Sequence, residues 1–274
     1  MTAPFSNLLR IIGAVLIGLL LALPLWWVAS GSVKATAEII SRHPTFFPRS
    51  FTLEHFRRLL QTSSFLHFMF NSAVVAVLTT IITVAIAVLA GFGFFRLRFP
   101  GHETVYRMIL LAYAFPSTVV LIPLYGMMSH AGLVDSPASL VIVNVAMALP
   151  FAIWMMRSFL GEIPVEIEEA ALVDGASRLA TLFLILLPII APGVASVAIF
   201  AFVSSWTEYL FASVLILSDA NRTLPVGLAG IIGQYQIDWG MLLAGATLST
   251  LPVAAMFGLI GRHFVAGLTE GAIK

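Results

Sequence analysis

The feature that most constrains this chain is a set of six apolar runs separated by short polar stretches. A hydrocarbon layer about 30 Å thick is crossed by about 20 apolar residues in a helix. Lipid offers no partner to a free backbone N–H or C=O, so such runs must fold as helices. They are Ile11–Val28, Asn71–Gly93, Val105–Met128, Ser139–Phe159, Leu182 to Leu217 and Gly240–Ile260. Composition agrees, since only 10 % of residues are charged, against about 25 % in soluble domains. The expected fold class is all-α: a polytopic membrane protein with six transmembrane helices, forming one domain over 1–274.

The first run is read as a retained span, because its apolar core is longer than a leader's and only Arg10 precedes it. The third run carries Pro116 and Pro123 and is read as one span, as is the fourth with Pro150. The fifth is too long for one straight span and contains Pro188 and Pro192. It reads as a segment bent at the prolines, then a span, then a re-entrant or extracellular exit.

Between the first two runs lies a polar stretch, about 30–67, with an aromatic cluster at Phe46 and Phe47. It is either a docking surface for an external binding protein or an interfacial segment packed on helix ends. Within it, Thr52 is expected to cap a helix. Alternate loops carry Arg10, Arg96, Arg98, Arg107, Arg157, Arg178, Arg262 and Lys274 on one side. Lys34, Arg42, Arg49, Arg57, Arg58 and Arg222 fall on the other. Eight against six leans toward both termini lying in the cytoplasm.

The sequence has no phosphate-cradling G-x-x-x-x-G-K-[ST], no H-E-x-x-H and no G-x-S-x-G. It has no cysteine. Its six histidines lie in loops or at span ends, where interfacial or solvated roles are expected rather than metal binding. The chain is therefore read as no enzyme, with no catalytic residue, cofactor or metal of its own. A net charge of +1 and scattered basic residues give no reason to expect nucleic acid.

Ion-driven transporters place ionisable groups in mid-membrane, and these runs are nearly free of them. Glu208, in Ser204-Ser205-Trp206-Thr207-Glu208-Tyr209, is the one acidic candidate. It is either part of a polar path lining, with Trp206 and Tyr209, or a subunit contact or helix-end cap. Ser117 and Asn144 are further path candidates. Asn144 is the most costly to bury unpaired and so must have a partner.

The fourth and fifth runs are joined by a polar loop, about 161–180. Pro164 suits a first helical position, and Glu166, Glu168 and Glu169 follow near the helix's positive end. Gly175 can end the helix in a left-handed turn. Ile167, Ala170 and Ala171 share a side, where small residues would let another protein approach closely.

Glu169, Ala170, Ala171, Gly175, Ile185, Leu187 and Pro188 fill every fixed position of a pattern that resembles the E-A-A loop of ABC importer permeases. Ser204–Tyr209 resembles the W-N-E-Y-L-F stretch of the carbohydrate-uptake branch, with Thr207 where Asn is usual. Phe94–Gly101, Thr223–Leu228 and the ending Arg262–Lys274 resemble the same maltose-type branch. The resemblance reaches from about Asn71 to the C-terminus. It implies a permease subunit importing a sugar or sugar derivative. A glycerol-phosphate or other polar solute, and a secondary transporter, stand as alternatives.

It further implies a heterodimer with a second permease subunit, two ATP-binding subunits that hold ATP and Mg, and an extracytoplasmic solute-binding protein. The implied location is the plasma (inner) membrane. Glu168, Glu169, Ala170, Ala171, Asp174 and Gly175, with Ile185, Leu187 and Pro188, would form the ATPase-coupling loop. On this reading Gly175→Asp crowds a tight acidic turn and unseats or uncouples the ATPase.

Overall fold

The computed structural model describes the backbone of residues 3–97, 99–232 and 237–270, with side chains over 10–61, 63–97, 99–232 and 237–259. Arg98, and the side chains of the C-terminal stretch singled out from Arg262, lie outside the described residues. Two compact units emerge, one from Met1–Leu66 with Gly227–Leu251, the other from His67–Val226 with Pro252–Lys274.

The first unit contains α1 (Ala3–Gly31), α2 (Thr36–Ile39) and α3 (Glu54–Thr62). The described part of α1 exposes nearly all its apolar side chains, as a lipid-facing span does. The segment after it is folded back on itself. The Glu38 carboxylate accepts from the Arg49 N–H at 3.1 Å and from the Thr45 hydroxyl. Lys34 donates to Thr45 O and lies 4.8 Å over the Trp27 ring. Thr52 does not cap α3 as expected. Leu53 takes the cap position, while the Thr52 hydroxyl accepts from Glu54 N–H one residue early, at 3.1 Å. His55, expected to be interfacial or solvated, is buried, with Nε2 2.8 Å from Lys34 O.

The second unit begins with α4 (Phe65–Phe92), which runs on as a π-helical turn, Gly93–Leu97. The third apolar run is not one straight span. It divides into α5 (His102–Tyr113) and α6 (Ser117–His130), set at 102° to each other. The break falls at Pro116, which disfavours helical geometry at Phe115 before it, whereas Pro123 inside α6 removes one hydrogen bond and leaves the helix intact. Next comes α7 (Pro137–Gly161), started by Pro137 and by the Ser136 side chain, which accepts from Ala138 N–H. Then follow α8 (Val165–Val173), α9 (Arg178–Ala180), a π-helical stretch Thr181–Leu186, α10 (Leu187–Ile189) and α11 (Ala191–Trp206). The chain bends by 82° at Ile190, between Pro188 and Pro192, where the sequence leads one to expect it. After α12 (Leu210–Leu215) and α13 (Leu224–Ala229), the last described helix is α14 (Trp239–Glu270). Among the described residues, four helices are long and apolar enough to span, or six if each bent pair counts as one span.

The long helix α7 is the axis of the second unit. Around its C-terminal half pack Ala87, Val88, Phe92, Tyr106, Leu182, Leu186 and Val197. Around its N-terminal half pack Val75, Met128, Phe211, Leu215 and Ile216. Lipid tails are as apolar as these side chains, so close packing rather than water exclusion holds the helices together. Gly193 shows how close: a Cβ there would stand 2.4 Å from the Phe159 ring.

Candidate functional site

The acidic loop forms a short helix at the C-terminal end of α7. Its first residue is Val165, with Pro164 at the cap, one position later than expected. Its last turn closes as the sequence requires. Gly175 has φ +86°. Its N–H bonds Leu172 O at 3.1 Å and the Ala176 N–H bonds Ala171 O at 3.0 Å. These two bonds define a Schellman ending, whose left-handed residue is best glycine.

The side that faces outward agrees only in part with the one expected: Ile167 and Ala170 are exposed, whereas Ala171 is not. Ala171 is 5 % exposed and packs into the chain's own body, as does Glu168 one turn earlier. The free face instead carries Glu166, Glu169, Ala170 and Val173, at helical spacing, with Val173 87 % exposed. Asp174 is exposed at the C-cap. Ile185 and Leu187 are half-buried and Pro188 is exposed, while the buried anchors of that stretch are Leu182 and Leu186.

A residue that sequence reasoning left in a basic turn organises this region. Arg96, in the π-helical turn after α4, donates through Nη2 to Leu160 O at 2.9 Å and Ile163 O at 2.7 Å. Its Nε lies 2.5 Å from Glu168 Oε1, and both side chains are nearly buried, at 10 % and 12 % exposure. Leu160 lies in the last turn of α7 and Ile163 just beyond it, where a helix end leaves carbonyls short of regular i+4 partners. Burial pushes the Glu168 carboxyl above its ordinary value, and the Arg96 and Arg178 charges oppose that. A cleft of about 180 Å³ between Arg96, Glu168, Glu169, Leu172 and Arg178 opens beside the pair.

Midway along α7 a second site forms. Asn144 Nδ2 donates to Ser205 Oγ at 2.9 Å, which fills the partner its burial demands. Asn144 and Glu208 line a cavity of about 190 Å³ with Tyr113, Ser204 and Ser205. Glu208, Tyr113 and Ser117 also line a cavity of about 340 Å³. Three of the five path candidates thus line these two cavities: Asn144 the smaller, Ser117 the larger, and Glu208 both. Trp206 is buried and stacks on Phe202 at 5.6 Å, and Tyr209 is half-exposed; neither lines these cavities. The Glu208 carboxylate also caps α12, accepting from Phe211 N–H at 2.6 Å and Ala212 N–H at 2.9 Å. Tyr113 was missed. It stacks on Phe151 at 5.8 Å and reaches the cavity because the helix breaks just after it.

At the other end of α7, Asp135 joins two loops. Its carboxylate accepts from Ser218 N–H at 2.9 Å, Leu217 N–H at 3.0 Å and the Ser218 hydroxyl. These bonds hold its pKa below the ordinary value. Its φ is +59°, a conformation Asp tolerates better than most residues.

The chain resembles known proteins along nearly its whole length. It is 35 % identical over 253 residues to an inner membrane ABC transporter permease protein of Escherichia coli, covering 92 % of this chain and 90 % of the other. It is 32 % identical to the diacetylchitobiose uptake system permease protein of Streptomyces coelicolor, covering 95 % of each chain. It is 33 % identical to the trehalose/maltose transport system permease protein of Thermococcus litoralis, covering 98 % and 97 %. Among solved structures, a bacterial ABC transporter involved in the import of the acidic polysaccharide alginate superposes with a TM-score of 0.81 at 21 % identity. The match covers 96 % of this chain and 99 % of that one, and it establishes the fold. The family of binding-protein-dependent transport system inner membrane components matches residues 83–269. With several apolar helices long enough to span, a relative at 35 % identity and that match, the chain is a multi-pass membrane permease that belongs to the binding-protein-dependent transport family.

Proposed function

We propose that this chain is one permease subunit of an ATP-driven importer for a sugar or sugar derivative. The observation that carries the proposal is α8. It is a short helix on the end of the buried α7, sealed by Gly175, and its free face shows Glu169, Ala170 and Val173. A helix so placed suits a partner that pushes on the spans. The nature of the cargo is supported by relatives whose names specify diacetylchitobiose and trehalose/maltose.

On this reading the complex holds a second permease subunit, two ATP-binding subunits and an extracytoplasmic solute-binding protein. ATP and Mg reside on the ATP-binding subunits, since this chain has no phosphate cradle. A solved alginate transporter is described in complex with its solute-bound periplasmic protein, which supports the last partner. The α8 end and both termini face the cytoplasm, and Asp135 faces outward. Solute passes along the polar space around Asn144, Ser117 and Glu208, with Tyr113 offering an aromatic face to a sugar ring. The chain alternates between two states whose populations ATP and the loaded binding protein shift.

The test is purification in mild detergent from native membrane, followed by mass spectrometry and uptake in proteoliposomes. An ATPase and a second permease should come with the chain, and uptake should need ATP. The chain alone, with uptake driven by a proton gradient, would overturn the proposal.

A further inference from the structure

We propose that Arg96 is a positioning residue that latches α8 to the ends of α4 and α7, so that a push on α8 moves the spans instead of bending the loop. This rests on the coupling reading above. Its basis is the geometry of one guanidinium reaching three elements. Arg96 belongs to the turn that ends α4, its Nη2 holds Leu160 O in the last turn of α7 and Ile163 O in the link that follows, and its Nε is ion-paired with Glu168 on α8. The aliphatic and aromatic surroundings add a contact, with the guanidinium carbon 4.7 Å from the Phe95 ring.

The connection between α7 and α8 is only Glu162, Ile163 and Pro164. Without a brace, so short a link acts as a hinge. The latch closes the triangle from the side opposite the chain. Arginine suits it, because its planar fork presents several donors in fixed directions, while lysine is a single charge on a flexible stem. Near-burial makes the pair costly to break, since a lone charge would be left behind. The π-helical turn has a consequence here: its wider i→i+5 turn rotates Arg96 relative to a regular continuation of α4, and such segments often sit at functional positions.

The test compares wild-type, Arg96→Lys and Glu168→Ala complexes in proteoliposomes. It measures solute taken up per ATP hydrolysed and, by pull-down, the ATPase attached. Arg96→Lys keeps the charge and loses the fork; Glu168→Ala keeps the bonds to Leu160 O and Ile163 O. Both should retain the ATPase and hydrolyse ATP, while uptake per ATP falls about tenfold. Unchanged uptake per ATP in both variants, with a coupled wild type, would overturn the latch alone. So would loss of the ATPase in step with uptake, because the pair would then serve docking only. Should Arg96→Lys fail to assemble, Glu168→Ala decides by the same ratio. A wild-type chain that brings no ATPase would overturn the coupling reading itself.

Discussion

At the scale of single residues, Gly175 shows why the kind of constraint matters. The sequence leads one to expect a crowded turn, yet nothing lies within 4 Å of where its Cβ would stand. The constraint is its φ of +86° alone. Gly175→Ala should therefore cost about 1–2 kcal/mol, seen as faster amide exchange at Asp174–Ala176. Gly175→Asp adds a charge beside Asp174 and should reduce transport further than alanine does. Equal transport in all three forms would remove the coupling role of this turn.

Asp135 makes a second residue-scale prediction. Its pKa is lowered below 3.8 by donors from Ser218 and Leu217. A lowered pKa contributes stability above the ordinary value and loses it as pH falls through the folded one. Amide protection at Leu217 and Ser218 should thus be constant near neutrality and be lost only at acid pH, as pH falls below the ordinary carboxyl value and through the lower folded one. Asp135→Asn should lower that protection at neutral pH and flatten the acid dependence. An unchanged acid profile in the variant would assign the effect to another group.

At the scale of elements, the contacts along α7 decide rigidity. Gly193 on α11 faces Phe159 on α7 with no room for a methyl group. Gly193→Ala should force the helices apart and cost about 1–3 kcal/mol, read as earlier unfolding in detergent. The Asn144–Ser205 bond ties the same helices further along. Ser205→Ala should cost about 0.6–1.7 kcal/mol, since the Asn144 amide loses its partner. A loss too small to detect would mean that water in the adjoining cavity replaces the hydroxyl.

For the whole molecule, the two core clusters leave a polar and aromatic space between them at mid-α7, and α8 stands at one end of that helix. Replacing Asn144 by Ala should change the apparent affinity for solute more than the ATPase content of the complex. Replacing Val173 on the free face of α8 by Asp should do the reverse. Pull-down and uptake measured together separate the two effects. Identical profiles for both variants would mean that one of them merely unfolds the chain.

The sequence by itself determined the span pattern, the broken fifth run and the position of the acidic helix. Each rests on local rules: apolar length against bilayer thickness, proline's missing N–H, glycine's left-handed φ. It also indicated that Asn144 needs a partner, because burying an amide unpaired is costly. The tertiary structure alone decided which partner that is, since Ser205 lies 61 positions away and comes near only when α7 and α11 pack. It decided that Ala171 and Glu168 turn inward while Val173 faces out, because Arg96 pulls one side of α8 onto the chain. The 102° break at Pro116 likewise follows from context. A membrane helix tolerates proline where neighbours take up the freed groups, so Pro123 and Pro150 stay helical while Pro116 does not. The reach of one guanidinium across three elements is invisible in sequence, since it depends on distances between residues 64 to 72 positions apart.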